Sequence, residues 1–307
     1  MQHYSKFNEP LAYGNMSNLE TSRAERLDQR VVALLPILSR SFAIKLIEDG
    51  KVTVNGKVIT KGGHKLWKTD TVVVDYQAEK FTIPDIELPI LYEDESVVVI
   101  NKPSGLLTHS KGAFNPEPSV ATWLHNRIED KDLIAADAYQ PNNRAGIVHR
   151  LDRATSGVMI CAKTQTALTW LQKQFAQRKV KKTYIAIVSG QLANDHAIIE
   201  MPIERNPKKP QTFRVGINGK VATSEYEVIA SNGVESQLRL TPQTGRTHQL
   251  RVHVSHVGHP IVGDEMYGGV PADRLYLHAL SLEITLPNRE RHTFETDLPL
   301  SFADRMK

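Results

Sequence analysis

The sequence predicts an α+β protein, in which a mixed, mostly antiparallel β-sheet with flanking helices follows a small N-terminal α/β module. Short apolar runs typical of strands outnumber helical patterns in the second part of the chain, and links of turn length join most of them. A stretch with two prolines, residues 77–89, separates the two parts. The length of 307 residues also exceeds the usual size of one domain.

The N-terminal module is predicted to begin with two helices. Leu27, Val31 and Leu34 share one helical face, and a proline at position 36 ends that helix. Ser39 is placed to cap the second helix, whose apolar residues continue to position 50. We expect ordered structure to begin near residue 21, after a polar tail that lacks periodicity.

The module is predicted to end in short strands. In "KVTVNGKVI", Asn55 and Gly56 give a strong hairpin signal, and "DTVVVD" reads as a further alternating strand. The predicted module is thus a compact helix-helix-hairpin unit that closes near residue 76.

The second part opens with "VVVI", residues 97–100, which is predicted to be a buried strand, and a turn is expected over residues 101–105. A helix is predicted from about residue 164 to 178, capped by Thr164 and burying Leu168, Leu171 and Phe175. Strands are predicted at "GVMICAK", "TYIAIVSG", "TSEYEVIA", "SQLRLT" and "YLHALSLEITL", and a helix near "THQLRVHVSHVG".

Composition indicates a globular protein of the cytoplasm. Hydrophobic residues make up 40% of the chain, and no run approaches the roughly 18 apolar residues of a membrane span. The first 20 residues lack the charged-then-apolar layout of a secretion signal. The single cysteine, Cys161, lies in an apolar run, so we expect a packing role and a reducing compartment.

The positive charge is distributed unevenly. The net charge is only +4, but residues 205–224 contain five Lys/Arg and no acid. Such stretches neutralise phosphates in proteins that bind nucleic acid. A solvated basic surface is the alternative on charge alone.

Several cofactor motifs are absent. The sequence has no phosphate-binding glycine loop, no dinucleotide fingerprint after a strand and no paired-cysteine zinc signature. His248, His253, His256 and His259 suggest a metal site, but no carboxylate or thiolate lies among them to complete it. We therefore expect no cofactor and no metal, and we expect these histidines to be packed or hydrogen-bonded.

Asp152 is the candidate catalytic residue. In "AGIVHRLDRATSG" it lies between Arg150 and Arg153, and the next 42 residues, 153–194, contain seven Lys/Arg and no acid. Positive neighbours favour the ionised carboxylate, which serves as a nucleophile or base. Acid hydrolysis of a glycosidic bond normally needs two carboxylates, so chemistry with one carboxylate fits better. The alternative is a structural salt bridge to Arg246 or another arginine.

Four segments occur in the order and spacing of the RluA/RluD-type pseudouridine synthases. They are "GIVHRLDRATSG", "KKTYIAIVSG", "TGRTHQLRVHVSHVGHPIVGDEMYG" and "LHALSLEI", and the resemblance runs from about residue 90 to 305. It implies the pseudouridine synthase fold and isomerisation of uridine in RNA, without cofactor or metal. Two further segments resemble the branch that acts on large-subunit ribosomal RNA.

The resemblance also implies roles for five residues. Asp152 matches the nucleophile, which lets the uracil detach, rotate and rejoin through carbon. Tyr184 matches the aromatic residue that stacks on the base and takes part in the later proton removal. Arg246 matches the arginine that pairs with the aspartate, Arg150 the side chain that replaces the extruded nucleotide, and Leu277 an apolar residue under the base.

The N-terminal module resembles the small RNA-binding domain shared with a small-subunit ribosomal protein, here called the S-four-like domain. "RLDQRV", "LSRSFAIKLIEDGKVTVNGKVI" and "DTVVVD" carry this resemblance over residues 25–76. In that family the second helix and the following loop face RNA, which implies RNA contacts by Arg40, Lys45, Lys51 and Lys57. Solvated lysines on an amphipathic helix are the alternative.

Together these observations predict a monomeric RNA pseudouridine synthase whose expected substrate is large-subunit ribosomal RNA. The alternatives are a transfer RNA pseudouridine synthase, a non-catalytic RNA-binding or ribosome-assembly factor, and a nucleoside hydrolase. The expected organisation is a tail (1–20), the S-four-like domain (21–76), a linker (77–89) and the catalytic domain (90–307).

Overall fold

A computed structural model describes residues 25–35, 38, 40–76, 84–109, 117–125, 127–130, 133 and 144–307. The described residues form two compact units, one from residues 25–35 and 40–76 and the other from residue 38 and the described residues from 84 onward. The expected start near residue 21, the helix end at position 36 and the cap at Ser39 lie outside the described residues. Within these ranges no helix has the length and apolar character that a membrane crossing requires.

The small unit contains two helices and short antiparallel strands. The helices are α1 (Leu27–Leu34) and α2 (Arg40–Glu48), and the strands are β1 (Glu25–Arg26), β2 (Val52–Val54), β3 (Lys57–Val58), β4 (Lys65–Leu66) and β5 (Val72–Val74). β2 lies between β3 and β5, and β1 pairs with β4. Asn55 and Gly56 both have positive φ, 51° and 77°, as a two-residue hairpin turn requires. The predicted helix-helix-hairpin arrangement is confirmed.

A buried carboxylate ties the two helices of the small unit together. Asp28 in α1 is fully buried and accepts hydrogen bonds from Arg26 and, at 2.9 Å, from Arg40 at the start of α2. Burial opposes the ionised form, but the two guanidinium groups outweigh it, so the pKa of Asp28 is lowered. Arg40 thus has a structural partner inside the unit.

The large unit is built on one sheet. Its strands are β6 (Ile90–Glu93), β7 (Val97–Lys102), β8 (Ser156–Ala162), β9 (Lys181–Ser189), β10 (His196–Glu200), β11 (Ile203–Arg205), β12 (Phe213–Val215), β13 (Thr223–Ser231), β14 (Glu235–Pro242), β15 (Leu277–Thr285) and β16 (Arg291–Glu295). Its helices are α3 (Val120–His125), α4 (Gln165–Ala176), α5 (Gln249–His256) and α6 (Leu300–Arg305).

Nine of the described strands form this sheet. The order is β10-β13-β14-β9-β15-β8-β7-β6, with β16 also paired to β15. β8 and β15 run parallel, and the other strand pairs described in this sheet are antiparallel. β11 and β12 form a separate hairpin. The predicted mixed, mostly antiparallel sheet is confirmed.

Alternation along β7 and β8 gives the sheet two apolar faces. Val99 and Ile160 pack with Leu171 of α4 on one face, whereas Ile100 and Met159 pack with residues of α3 on the other. A third cluster joins the β9 and β14 strands to α5 and α6. Because both faces of β7 and β8 are covered, these strands are continuous apolar runs.

Most predicted elements of the large unit lie where the sequence places them. α4 begins after Thr164, whose hydroxyl accepts a hydrogen bond from the Ala167 amide at 3.2 Å. The expected turn at 101–105 starts later, because Asn101 and Lys102 still pair with β8. β7 therefore ends at Lys102, later than the sequence pattern predicts. The Lys102 side chain is buried, and its ammonium group donates a hydrogen bond to the Pro103 carbonyl.

A glycine allows the parallel pair of strands to approach. Gly157 in β8 has φ 118°, and a Cβ atom there would lie 2.1 Å from the backbone oxygen of Ala279 in β15. No larger residue fits without moving a strand. The glycine of "TSG" therefore has a packing reason.

Candidate active site

Five residues that the sequence singles out in the large unit line one cavity of about 510 Å³: Arg150, Asp152, Tyr184, Arg246 and Leu277. They come from the segment before β8, from β9, from the segment before α5 and from β15. β9 and β15 are neighbours, and Tyr184 lies opposite Ala279 in their register. The fold thus brings together side chains that are up to 127 positions apart in the sequence.

The segment that carries Asp152 is held from the β7 side. The Thr108 hydroxyl donates to the Leu151 carbonyl at 2.7 Å, and the Ser104 hydroxyl donates to the Ala154 carbonyl at 2.7 Å. The Lys102 ammonium donates to the Arg153 carbonyl at 3.3 Å. These bonds fix the backbone on both sides of Asp152, which lines the cavity.

The cation that pairs with Asp152 is Arg251, not Arg246. A guanidinium nitrogen of Arg251 lies 3.3 Å from Asp152 Oδ2, whereas Arg246 Nε donates to the Val221 carbonyl at 3.1 Å. The expected pairing of Arg246 with the aspartate is therefore wrong. Arg246 precedes α5, whereas Arg251 lies in the first turn of α5, on the side that faces the cavity. The position of the helix therefore directs Arg251, the second arginine of the motif, toward Asp152.

Arg251 is shared between two carboxylates. Its Nε and Nη2 donate to the two oxygens of Asp264 at 2.7 and 2.8 Å, and Asp264 is buried. Burial acts against the guanidinium charge, but the bonds to Asp264 and the proximity of Asp152 outweigh it and raise the pKa of Arg251. The cation beside Asp152 is permanent, and Asp264 fixes its direction.

Tyr184 faces the cavity from the central strand β9. Burial, and secondarily the charge of Asp152, raises the pKa of the Tyr184 phenol far above its ordinary value. The hydroxyl therefore keeps its proton at neutral pH. Leu277, on the adjacent strand, is buried and belongs both to the cavity wall and to an apolar core cluster.

His248 contributes a third polar group next to Asp152. Its Nε2 lies 3.8 Å from Asp152 Oδ2, and its Nδ1 lies 2.7 Å from the Tyr267 hydroxyl. Burial lowers the pKa of His248, with the nearby cation Arg251 acting in the same direction and Asp152 against it. The surroundings of His248 therefore favour the neutral form of the imidazole.

Two lysines, the buried Lys102 and the partly buried Lys182, add positive potential around the cavity. Burial lowers the pKa of Lys182, which lines the cavity, to about 8. Burial likewise lowers the pKa of Lys102 to about 8, although the charge of Asp152 opposes this shift. Both ammonium groups are charged at neutral pH, and the cavity is suited to a ligand that carries phosphate.

The other cavity arginine, Arg150, is exposed and lies at the cavity wall. Arg153, the second neighbour of Asp152 in the sequence, instead pairs with Glu117 at 3.0 Å and donates to the Gly105 carbonyl. Of the two flanking arginines, Arg150 is thus the one at the cavity, whereas Arg153 helps to hold the surrounding segments together.

The four residues predicted to touch RNA from the small unit are all exposed: Arg40, Lys45, Lys51 and Lys57. Lys51 lies 3.4 Å from Asp75, and Arg40 is bound to Asp28 as described above. Lys45 lies near the end of α2, and Lys57 follows the hairpin turn.

Two of the histidines that suggested a metal site, His253 and His259, have separate hydrogen-bond partners. His253 is buried, with hydrogen bonds to the Ser224 hydroxyl and the Met201 carbonyl, and His259 bonds to the Ser189 carbonyl. For these two residues, the expected hydrogen-bonded role is confirmed. Among the residues that the structure describes, no group of three His, Cys, Asp or Glu side chains is arranged to hold a metal ion.

Comparison with known proteins identifies the family. The sequence model of RNA pseudouridylate synthase matches residues 96–256, and that of the S4 domain matches residues 25–72. Ribosomal large subunit pseudouridine synthase D of Yersinia pestis is 39% identical over 290 residues, covering 88% of this chain and 86% of the relative. The chain belongs to the RNA pseudouridylate synthase family.

Further relatives of this RNA pseudouridine synthase agree with that assignment. The protein of the same name from Escherichia coli strain K12 is 37% identical over 288 residues, covering 87% of this chain and 85% of the relative. The solved structure of human RNA pseudouridylate synthase domain containing 1 has a TM-score of 0.57 and 28% identity, and it covers 69% of this chain and 84% of the human chain. The solved structure of human RNA pseudouridylate synthase domain containing 4 has a TM-score of 0.54 and 28% identity, and it covers 70% of this chain and 90% of the human chain.

The synthase is an isomerase with an RNA-binding S4 domain at its N-terminal side. Sequence reasoning overlooked three residues around its cavity: Arg251, Asp264 and Tyr267. A signal for the first two was present, because Arg251 stands between apolar residues of a predicted helix and Asp264 follows an apolar run in the same segment. A charged residue between two buried neighbours needs a partner, and an acid nearby is the natural one.

Proposed function

We propose that this pseudouridine synthase modifies uridines of large-subunit ribosomal RNA, with Asp152 as the nucleophile. The observation that carries the proposal is the position of Asp152 in the cavity, where Arg251 holds one of its oxygens at 3.3 Å. An ionised carboxylate fixed in this way is ready to attack. The choice of RNA rests on two relatives that are 39% and 37% identical and are named for the ribosomal large subunit.

The target uridine must leave the stacked RNA before it reaches the carboxylate. Flipping costs a few kcal/mol, and a side chain that fills the gap recovers part of it. Arg150, exposed at the cavity wall, is the residue we assign to the gap. A guanidinium plane stacks on bases and contacts phosphate at the same time, which suits this position.

The proposed isomerisation is balanced without water or an electron carrier. A bond forms between an Asp152 oxygen and the nucleotide, either at the sugar or at the uracil ring, and the bond between sugar and ring nitrogen breaks. The uracil turns, its ring carbon bonds to the sugar, and the carboxylate is released. The ring carbon then loses its proton, and the ring nitrogen that was bonded to the sugar gains one. The product therefore has the composition of the substrate.

The neighbours of Asp152 suit the steps of this sequence. Arg251 makes its close approach to Oδ2, which leaves Oδ1 for attack. When the bond forms, Asp152 loses its charge, and Asp264 still neutralises Arg251, so no buried cation is left unpaired. This arrangement lets the nucleophile change charge at a small electrostatic cost.

Tyr184 and Leu277 would hold the uracil. An aromatic ring and a leucine on adjacent strands offer apolar contacts to the base. Because the raised pKa keeps the Tyr184 hydroxyl protonated, it transfers a proton only by giving up its own at the same moment. We therefore assign Tyr184 to stacking and to the relay of the ring proton.

Mapping pseudouridine in cells that lack the protein tests this function. We expect one or a few sites in large-subunit ribosomal RNA to disappear, wild type to restore them, and Asp152→Asn to restore none, because the amide is a poor nucleophile. Asp304→Asn is the matched control, since Asp304 is exposed and pairs with Lys307.

The same experiment separates the alternatives. Full restoration by Asp152→Asn would contradict the nucleophile assignment. Loss of sites from transfer RNA alone would replace the proposed substrate. Release of free uracil by purified protein would indicate hydrolysis instead of isomerisation.

A further inference from the structure

One histidine beside the nucleophile has no place in the steps above. His248 directly precedes α5, and its side chain is only 14% exposed. Phe213 and Tyr267 meet its ring edge to face, with interplanar angles of 75° and 85°. The imidazole is therefore held in one orientation, with Nε2 directed toward Asp152 at 3.8 Å.

The backbone at this position is unusual as well. His248 has φ 57° and ψ 18°, in the left-handed region that residues other than glycine adopt uncommonly. Such conformations persist where the surrounding structure enforces them, and they concentrate at functional sites. With the backbone in this conformation, the imidazole lies next to the Asp152 carboxylate.

Hydrogen-bond roles fix the tautomer of His248. The Tyr267 oxygen accepts the Phe213 amide hydrogen at 2.9 Å, and the same oxygen lies 2.7 Å from His248 Nδ1. The hydroxyl has one hydrogen, and His248 Nδ1 is the acceptor that the described residues offer it. The reverse assignment would leave that hydrogen without an acceptor among the residues that the structure describes. Nδ1 is thus unprotonated, and the proton of the neutral ring resides on Nε2.

We propose that His248 is a positioning residue: a neutral imidazole whose Nε2–H group faces Asp152 Oδ2 and, together with Arg251, leaves Oδ1 as the attacking oxygen. This inference rests on the proposed role of Asp152 as nucleophile. At 3.8 Å the contact is longer than a hydrogen bond, so the imidazole acts on the carboxylate through its dipole and becomes a donor when the carboxylate turns.

A neutral donor suits the charges around His248. The charged groups that face it are Asp152 and Asp264, and the cations Arg251 and Arg150. Arg251 already neutralises Asp264 through two hydrogen bonds. An imidazolium here would become a surplus buried cation once Asp152 is esterified, whereas the neutral ring adds direction without charge.

Two substitutions separate the imidazole donor from the backbone conformation. His248→Asn tolerates the left-handed backbone, but its amide ends near the position of Nδ1, short of Asp152. His248→Gln carries an amide that reaches the position of Nε2. We expect kcat to fall about 30-fold for Asn with KM near wild type, and about 3-fold for Gln, because only a group that acts on the nucleophile changes kcat alone. His256→Gln, exposed on the same helix, should leave both parameters unchanged.

A spectroscopic readout is independent of turnover. In protein labelled with ¹⁵N-histidine, the His248 signals are those lost in His248→Gln, and at pH 7 they should show a proton on Nε2 and an unprotonated Nδ1. Tyr267→Phe removes the hydroxyl and should yield a mixture of both tautomers.

Either of two results would overturn the inference: a proton on Nδ1 in the wild type, or full kcat in His248→Asn. Activity of Asp152→Asn would instead remove the proposed function. Because the tautomer is measured without substrate, these two failures are distinguishable.

Discussion

Arg251 lies between two carboxylates that differ in their surroundings. Asp264 is buried and binds the guanidinium through two short hydrogen bonds, while Asp152 is 16% exposed and is held by a single bond of 3.3 Å. The first carboxylate is the closer partner of Arg251, and the second is the one to which we assign the reaction. In this proposal one arginine has both a structural and a functional task.

Substitution of the two arginines of the motif should give different defects. Arg251→Ala leaves Asp264 buried without a counterion and should cost about 3 to 5 kcal/mol of unfolding free energy. Arg251→Lys keeps the charge but loses the paired bonds, and should lower kcat by about 10²-fold through misplacement of Asp152. Arg246→Ala should instead raise KM and keep kcat within about 3-fold. Thermal melts and steady-state kinetics check this, and equal kcat losses for Arg246→Ala and Arg251→Lys would refute the pairing.

At the residue scale, the sequence predicts part of the candidate site. The family resemblance implies one site for Asp152, Tyr184 and Leu277, and the three residues line one cavity. Arg246 was assigned to the wrong role because two arginines stand five positions apart, and the direction of each depends on where α5 begins. Helix boundaries are set by packing that a single sequence does not display.

Lys182 should impose a pH dependence on substrate capture. Burial lowers the pKa of this lysine to about 8, so the ammonium is charged below that pH and neutral above it. We expect kcat/KM, which reports the free enzyme, to fall as the pH rises through about 8, since attraction for RNA phosphate is lost. Lys182→Arg should keep its charge and flatten this alkaline limb. If the alkaline fall of kcat/KM is unchanged in Lys182→Arg, another group causes this pH dependence.

At the scale of elements, the site depends on how β8, β9 and β15 are joined. β8 leads away from Asp152, β9 carries Tyr184, and β15 carries Leu277 between them. The parallel contact of β8 and β15 brings backbone so close that Gly157 has no room for a side chain. The geometry of the cavity therefore depends on the close spacing of β8 and β15.

Gly157→Ala should destabilise the protein because its methyl group meets the Ala279 carbonyl at 2.1 Å and its φ is 118°. We expect a loss of about 3 kcal/mol or more in unfolding free energy. Gly258→Ala is the matched control: its φ is 93°, but nothing lies within 4 Å of the added atom, so backbone strain alone should cost about 1 kcal/mol. Denaturant titration measures both, and equal costs would show that the clash is relieved.

At the scale of the whole molecule, the two units differ in what they offer RNA. The large unit holds the cavity, whereas the small unit presents exposed basic residues on α2 and around the hairpin. We therefore interpret the small unit as a source of affinity and the large unit as the source of chemistry.

The double substitution Lys45→Ala with Lys51→Ala tests this division. Loss of two phosphate contacts should weaken RNA binding and reduce the slope of log Kd against log salt by about two, while kcat at saturating RNA stays near wild type. Lys307→Ala, an exposed lysine of the large unit, is the control. An unchanged slope would remove both lysines from the RNA interface.

The order of the strands has a consequence for how the enzyme is made. β15 lies between β8 and β9 in the sheet, but it follows both in the sequence and is synthesised long after them. A nascent polypeptide cannot join its two halves until that late segment has left the translating ribosome, because the central place in the sheet is still vacant. We therefore expect a newly made chain to gain activity only after β15 has been synthesised.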